Sequence, residues 1–192
     1  MVGIHSMLVP VLTRWENFTK KAIKDKGNPP PWVVGYGHTN ANNYPPFVEE
    51  GYEVQDEAHA MEILVGELNE VYVPQLNNLF KKIDFKPPND LYFSGFLDTL
   101  YNRGAGRLAG VDAGSTKLIG SYAWHILKNE AGTKNWLCRA ACALTISHVG
   151  EFTPLDTAWD ATLNDGIGGD RIYDGLTGRR SMDSAICLWE RI

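Results

Sequence analysis

The sequence predicts an α+β fold: a mainly α-helical domain that carries a small β-hairpin lobe, with a cleft between the two. Three observations predict it. Apolar residues recur at helical spacing near both ends of the chain. A stretch rich in Gly, Pro and Asn interrupts them between about residues 25 and 55, and a later segment is apolar almost all round. With 192 residues the chain fits one domain, 1–192, in which the small lobe takes about 25–55 and the helical lobe takes 1–24 and 56–192.

Leu8, Leu12, Trp15, Phe18 and Ala22 lie three and four apart, which predicts a helix over about residues 7–24 with Glu16 at the margin of its apolar stripe. Pro29, Pro30 and Pro31 lack amide donors and cannot continue it. From Trp32 to about Gly51 short β-prone runs broken by Gly35, Gly37, Asn42, Asn43, Pro45 and Pro46 predict an irregular hairpin. Asp56 is the expected cap of the next helix, with Ala58, Met61, Leu64, Val65, Leu68 and Val71 on its buried face and a break or bend at Pro74. Pro87-Pro88-Asn89 opens a central helix, apolar around its whole circumference from Leu91 to Tyr101, which Gly104 and Gly106 should end. Further helices are expected over about 115–129, 133–148 and 177–190, with residues 150–174 mostly loop.

Composition narrows the function classes. A formal charge of -5 opposes nucleic acid as a partner, because phosphate binding needs a surplus of Lys and Arg. The three cysteines, Cys138, Cys142 and Cys187, have no C-x-x-C spacing and read as small buried residues rather than as a disulfide framework or zinc site. His59, His125 and His148 are scattered without ligand spacing, so neither a metal nor a cofactor is expected. The most apolar late stretch, 136–146, is about half the ~20 residues of a membrane span. Pro10 and Arg14 break the apolar start, so no cleaved leader is expected.

Two clusters could do chemistry. Glu16, beside Trp15 on the edge of an apolar face, would be partly shielded from water, which disfavours its charged form and suits a general acid; a surface glutamate is the plainer reading. Asp25 follows nine residues later. A pair of carboxyls roughly 6.5–9.5 Å apart, one protonated and one directing water, is what inverting glycoside cleavage needs. Gly35-Tyr36-Gly37-His38-Thr39 is weak alone, but its glycines permit close backbone approach and would bring His38 near Glu16 as an orienting group.

Glu16, Ala22 and Asp25 followed by Gly35-Tyr36-Gly37-His38-Thr39 resemble the opening of the phage-type lysozymes, the endolysin muramidases of glycoside hydrolase family 24. Tyr101-Asn102-Arg103-Gly104-Ala105-Gly106 resembles that family's central-helix ending, Ser115-Thr116 its next helix start, and Gly175-Leu176 with Arg179-Arg180 its C-terminal signature. The resemblance spans about residues 10–190. It implies a hydrolase that cuts the bond between N-acetylmuramic acid and N-acetylglucosamine in peptidoglycan, with Glu16 as general acid and Asp25 positioning the attacking water. It further implies that Thr39, Tyr101 and Asn102 line the sugar site and that His38 supports the fold. Arg179 or Arg180, the latter aligning better, would orient Glu16.

The sequence also departs from the family. Val33 stands where a threonine usually helps hold the water, Asn17 replaces a glycine, Ile23 an aromatic, and the loop after Asp25 is about two residues longer. Asn28 or Asn42 could take the threonine's role. Otherwise the scaffold would act as a lytic transglycosylase, using the sugar's own hydroxyl, or would bind peptidoglycan or a protein without turnover. The expected partner is bacterial peptidoglycan, reached by a monomer made in the cytoplasm and released to the wall by a pore, tail structure or secretion machine; no stable membrane insertion is expected.

Overall fold

The computed structural model describes residues 3–25, 29–116 and 120–144. The expected helix over 177–190, the loop over 150–174, Asn28, Arg179 and Arg180 lie outside those residues. The fold is α+β, mainly helical with one two-stranded antiparallel sheet. The chain divides into two compact units, one formed by residues 6–74 and the other by residues 1–5 with 75–192.

In the first unit, helix α1 (Leu8–Trp15) buries Leu8, Val11 and Leu12. It stops eight residues in, so the helix expected to run to residue 24 is half strand. The chain turns extended at Glu16, and β1 (Thr19–Lys24) pairs antiparallel with β2 (Trp32–Gly35), with Ile23 opposite Val33 and Lys24 opposite Trp32. On its other side the amides of Ala22 and Val54 bond the carbonyls of Tyr52 and Lys20, at 2.8 and 3.0 Å. These two sets of long-range bonds give β1 partners on both sides, which outweighs the helical spacing of Phe18 and Ala22.

Helix α2 (Glu57–Glu67) starts where the sequence predicts, with the Asp56 carboxylate accepting the His59 amide at 2.8 Å. Its buried face includes the expected Leu64 and Leu68 but is otherwise shifted: Ala60, Ile63 and Glu67 are buried, Met61 and Val65 half-buried and Ala58 exposed. Two close approaches fix that face: a Cβ at Gly35, whose φ is +63°, would come within 3.2 Å of Ala60 Cβ, and one at Gly66 would meet the Tyr44 hydroxyl at 2.1 Å. Nor does the helix end at Pro74. A π-turn over Leu68–Tyr72 precedes α3 (Val73–Lys82), and this wider turn absorbs the missing proline donor so that helix continues beyond it.

In the second unit, α4 (Asp90–Ala109) opens on Asn89, whose side chain accepts the Tyr92 amide at 2.8 Å, and every residue from 91 to 100 is buried, as the all-round apolar pattern predicts. Gly104, at φ 76° and ψ 160°, breaks the helix but does not finish it; helical backbone resumes to Ala109 and includes Gly106. After a 3₁₀ turn (Gly110–Ala113), α5 (Tyr122–Asn129) begins later than the expected residue 115, because Ser121 and not Ser115 supplies the cap, accepting the Trp124 amide at 3.1 Å. α6 (Trp136–Ala143) follows, and the Tyr92 hydroxyl donates to the Leu137 carbonyl at 3.0 Å. Phe80 is the hub of the core: its ring lies 4.9 Å from Phe85, 5.6 Å from Phe96 and 5.7 Å, stacked, from Trp124. Cys138 is half-buried, more open than the buried position expected of it. Among the described residues no helix is long and apolar enough to cross a membrane.

Candidate active site

Glu16 is the residue that closes α1. Its amide donates to the Leu12 carbonyl at 2.8 Å while its own backbone turns extended (φ -88°, ψ 116°), so the carboxyl leaves from the end of a buried helix and is half-buried itself. Asp25 follows the end of β1, exposed, its amide donating to the Pro31 carbonyl at 3.0 Å across the open end of the hairpin. Val33 is half-buried in β2.

The glycine motif forms a tight loop. Val34 and His38 exchange backbone hydrogen bonds at 3.0 Å, so Gly35-Tyr36-Gly37 is pinched out between them, Gly35 and Gly37 adopting positive φ. That loop drives His38 inward, where it is 3% exposed. Nδ1 faces Glu67 Oε2 at 3.0 Å and Nε2 faces the Pro46 carbonyl at 2.7 Å. Both partners accept, so the ring carries two protons and stands as an imidazolium against the Glu67 carboxylate, itself 2% exposed. Burial pulls the His38 pKa down, but the hydrogen bonds to Glu67 and Pro46 and the Glu67 charge outweigh it and hold the group above its usual value. Tyr44, laid across Gly66, meets the imidazole edge-on with ring centroids 6.2 Å apart.

Glu67 has a second oxygen to satisfy. Asn42 Nδ2 donates to Glu67 Oε1 at 2.8 Å and to the Tyr72 hydroxyl at 2.7 Å. Tyr72 is half-buried in the π-turn, and its pKa is pushed up to about 12, first by burial, then by the Glu67 charge and with a contribution from Glu16, while the Asn42 hydrogen bond pulls the other way. A run of polar groups therefore extends from His38 through Glu67 and Asn42 to Tyr72, and the field of Glu16 reaches its far end. Asn42, one of the two substitutes expected for the missing threonine, commits its amide nitrogen to this run.

Thr39 is half-buried, and its hydroxyl accepts the Ala41 amide at 3.2 Å, capping the 3₁₀ turn Asn40–Asn42. The first unit thus holds Glu16, Asp25, His38 and Thr39. Tyr101 and Asn102 belong to the second, half-buried on α4 just ahead of the Gly104 break. Glu67 and Tyr72 escaped the reading of the sequence. Their one signal is a carboxylate at the spacing of Ala60, Ile63 and Leu64, where an amphipathic helix puts apolar residues.

No family model matches the chain, and no curated protein matches it significantly. Solved structures do. The muramidase domain of SpmX from Asticaccaulis excentricus is 16% identical with a TM-score of 0.61, the match covering 98% of this chain and 99% of that one. A P22 lysozyme mutant is 18% identical, TM-score 0.61, over 98% and 99%. An endolysin from Escherichia coli O157:H7 phage FAHEc1 is 16% identical, TM-score 0.57, over 97% and 94%. At nearly full coverage of both partners, these neighbours establish that this chain has the lysozyme-like fold of phage lysozymes, endolysins and muramidase domains.

Proposed function

We propose that this chain degrades bacterial peptidoglycan, cutting the glycan between N-acetylmuramic acid and N-acetylglucosamine with Glu16 as the general acid. The observation that carries the reading is the setting of Glu16: a half-buried carboxyl at the end of the first helix, directly ahead of the hairpin, in a chain with the lysozyme-like fold. A carboxyl held at the end of a buried helix is placed to hand a proton to the leaving oxygen of a bound glycan. Asp25 is the second carboxylate, which directs water from the hairpin side. Thr39, Tyr101 and Asn102 bind the saccharide, Arg180 orients Glu16, and His38 fixes the loop that carries Thr39. No cofactor takes part, and the protein acts on the wall after release from the cell that makes it.

Glu16→Gln keeps the size of the side chain but cannot give up a proton. It should lower the rate of wall lysis by at least about 10²-fold, the typical contribution of a positioned acid, while cosedimentation with purified peptidoglycan stays near wild type. A wild-type protein that sediments with peptidoglycan yet clears none of it between about pH 4 and 8 would instead be a binding module. Val33 favours a variant of the enzymatic reading, because β2 offers no hydroxyl there to hold a water. Product analysis separates the two: reducing ends follow hydrolysis, and anhydro-muramic ends follow attack by the sugar's own hydroxyl.

A further inference from the structure

Helix α3 ends on a residue that serves the helix poorly. The amides of Asp84 and Phe85 bond back to the carbonyls of Lys81 and Phe80 at 3.2 and 3.0 Å, the left-handed cap that closes many helices, and the Phe85 ring packs on Phe80 as that cap favours. The residue that turns left-handed in such a cap is usually glycine. Here it is Asp84, at φ 50°. A side chain strains the backbone there, and a negative charge lies badly at the carbonyl end of a helix, so glycine would suit the fold better on both counts. The carboxylate is exposed and makes no ion pair among the described residues, and neither does exposed Lys81 before it nor exposed Lys86 after it. Lys82, the other lysine of the last turn, reaches the Asp112 carbonyl instead. Asp84, Lys81 and Lys86 all line one groove of about 460 Å³ in the second unit, floored by Phe80 and Phe85 and walled by Pro87. That volume falls in the range of small-ligand pockets.

We propose that this groove binds a short free peptide, with Lys81 and Lys86 taking its carboxylate, Asp84 its ammonium group, and Phe80, Phe85 and Pro87 its apolar side chains. Charge selects the ligand. A simple anion would be repelled by Asp84 and a simple cation by two lysines, whereas a molecule that carries both signs is attracted by all three. The strained carboxylate then has a reason to stand where glycine would be easier, since such strain persists where a site needs the residue. Binding of this kind is independent of the chemistry proposed for Glu16.

The probes are leucyl-leucine, its N-acetylated form and its C-terminal amide, each titrated into the ¹⁵N-labelled full chain while the backbone amide resonances of residues 77–87 are followed. Leucyl-leucine should shift them with a Kd on the order of 1 mM, and blocking either end should weaken binding about threefold, the worth of one exposed ion pair. Lys81→Gln combined with Lys86→Gln should abolish the preference for a free carboxylate, and Asp84→Gly the preference for a free amine. Asp84→Gly should also raise the urea midpoint of unfolding, because glycine fits the left-handed turn. A lower midpoint would mean that the fold itself needs the carboxylate, and the proposal would fail. It fails equally if leucyl-leucine leaves these resonances where they are, or if the amide binds as well as the free peptide. An N-acetylated peptide that binds as well as the free one overturns it too, since the groove would then take a plain anion or a peptide attached through its amine.

Discussion

The two units of this molecule bury different things. Around Phe80 the second unit buries rings against rings, and its polar interior groups mostly serve the backbone: Ser94 takes the His5 amide at 2.9 Å, Thr99 returns a bond to the Gly95 carbonyl at 3.2 Å, and Ser121 caps α5. The first unit, with fewer aromatic residues inside, instead ties its glycine loop to its long helix through a buried imidazolium–carboxylate pair. Rings hold by area and need only fit. A buried pair holds by direction and charge, and each partner is a liability without the other. The unit that carries Glu16 uses the directional kind, which suits a site whose groups must point one way.

The contrast can be broken from either side. Phe80→Ala should cost the most, about 4 kcal/mol of unfolding free energy by urea denaturation, because the cavity it leaves is walled by other rings and cannot collapse. Glu67→Ala should cost somewhat less, about 3 kcal/mol, since His38 can shed its proton once its partner is gone. A loss under 1 kcal/mol there would mean that water already screens the pair. The smallest effect is the pH dependence. His38 has a raised folded pKa, so its contribution is complete below the ordinary histidine value of about 6.5 and is lost as pH rises through the folded value. Melting temperatures measured upward from pH 6 should therefore carry a falling component that Glu67→Ala flattens.

The same contrast decides what the sequence made legible. Asp56 and Asn89 cap the helices assigned to them, and the run from Leu91 to Leu100 is buried on every side, because capping and apolar periodicity are local properties. The segment after Trp15 is not legible in this way, because Phe18 and Ala22 happen to keep helical spacing while the bonds that make β1 a strand come from residues 32–35 and 52–54. Glu67 stayed hidden for a related reason: a count of apolar positions passes over a buried acid, and only the fold shows that His38, 29 residues earlier, lies against it. The motifs nominate Glu16, Asp25, His38 and Thr39 as candidates, whereas the place of Tyr72 beside Asn42 depends on a π-turn that no local pattern announces.

Gly104 carries a consequence for what can replace it. At φ 76° and ψ 160° its backbone lies where left-handed and right-handed amino acids trade places, and nothing stands within 4 Å of the site a Cβ would take. The obstacle is thus chirality, with no crowding behind it. Every encoded alternative has the wrong handedness for that dihedral, so the break in α4 is a place the genetic code can only leave to glycine.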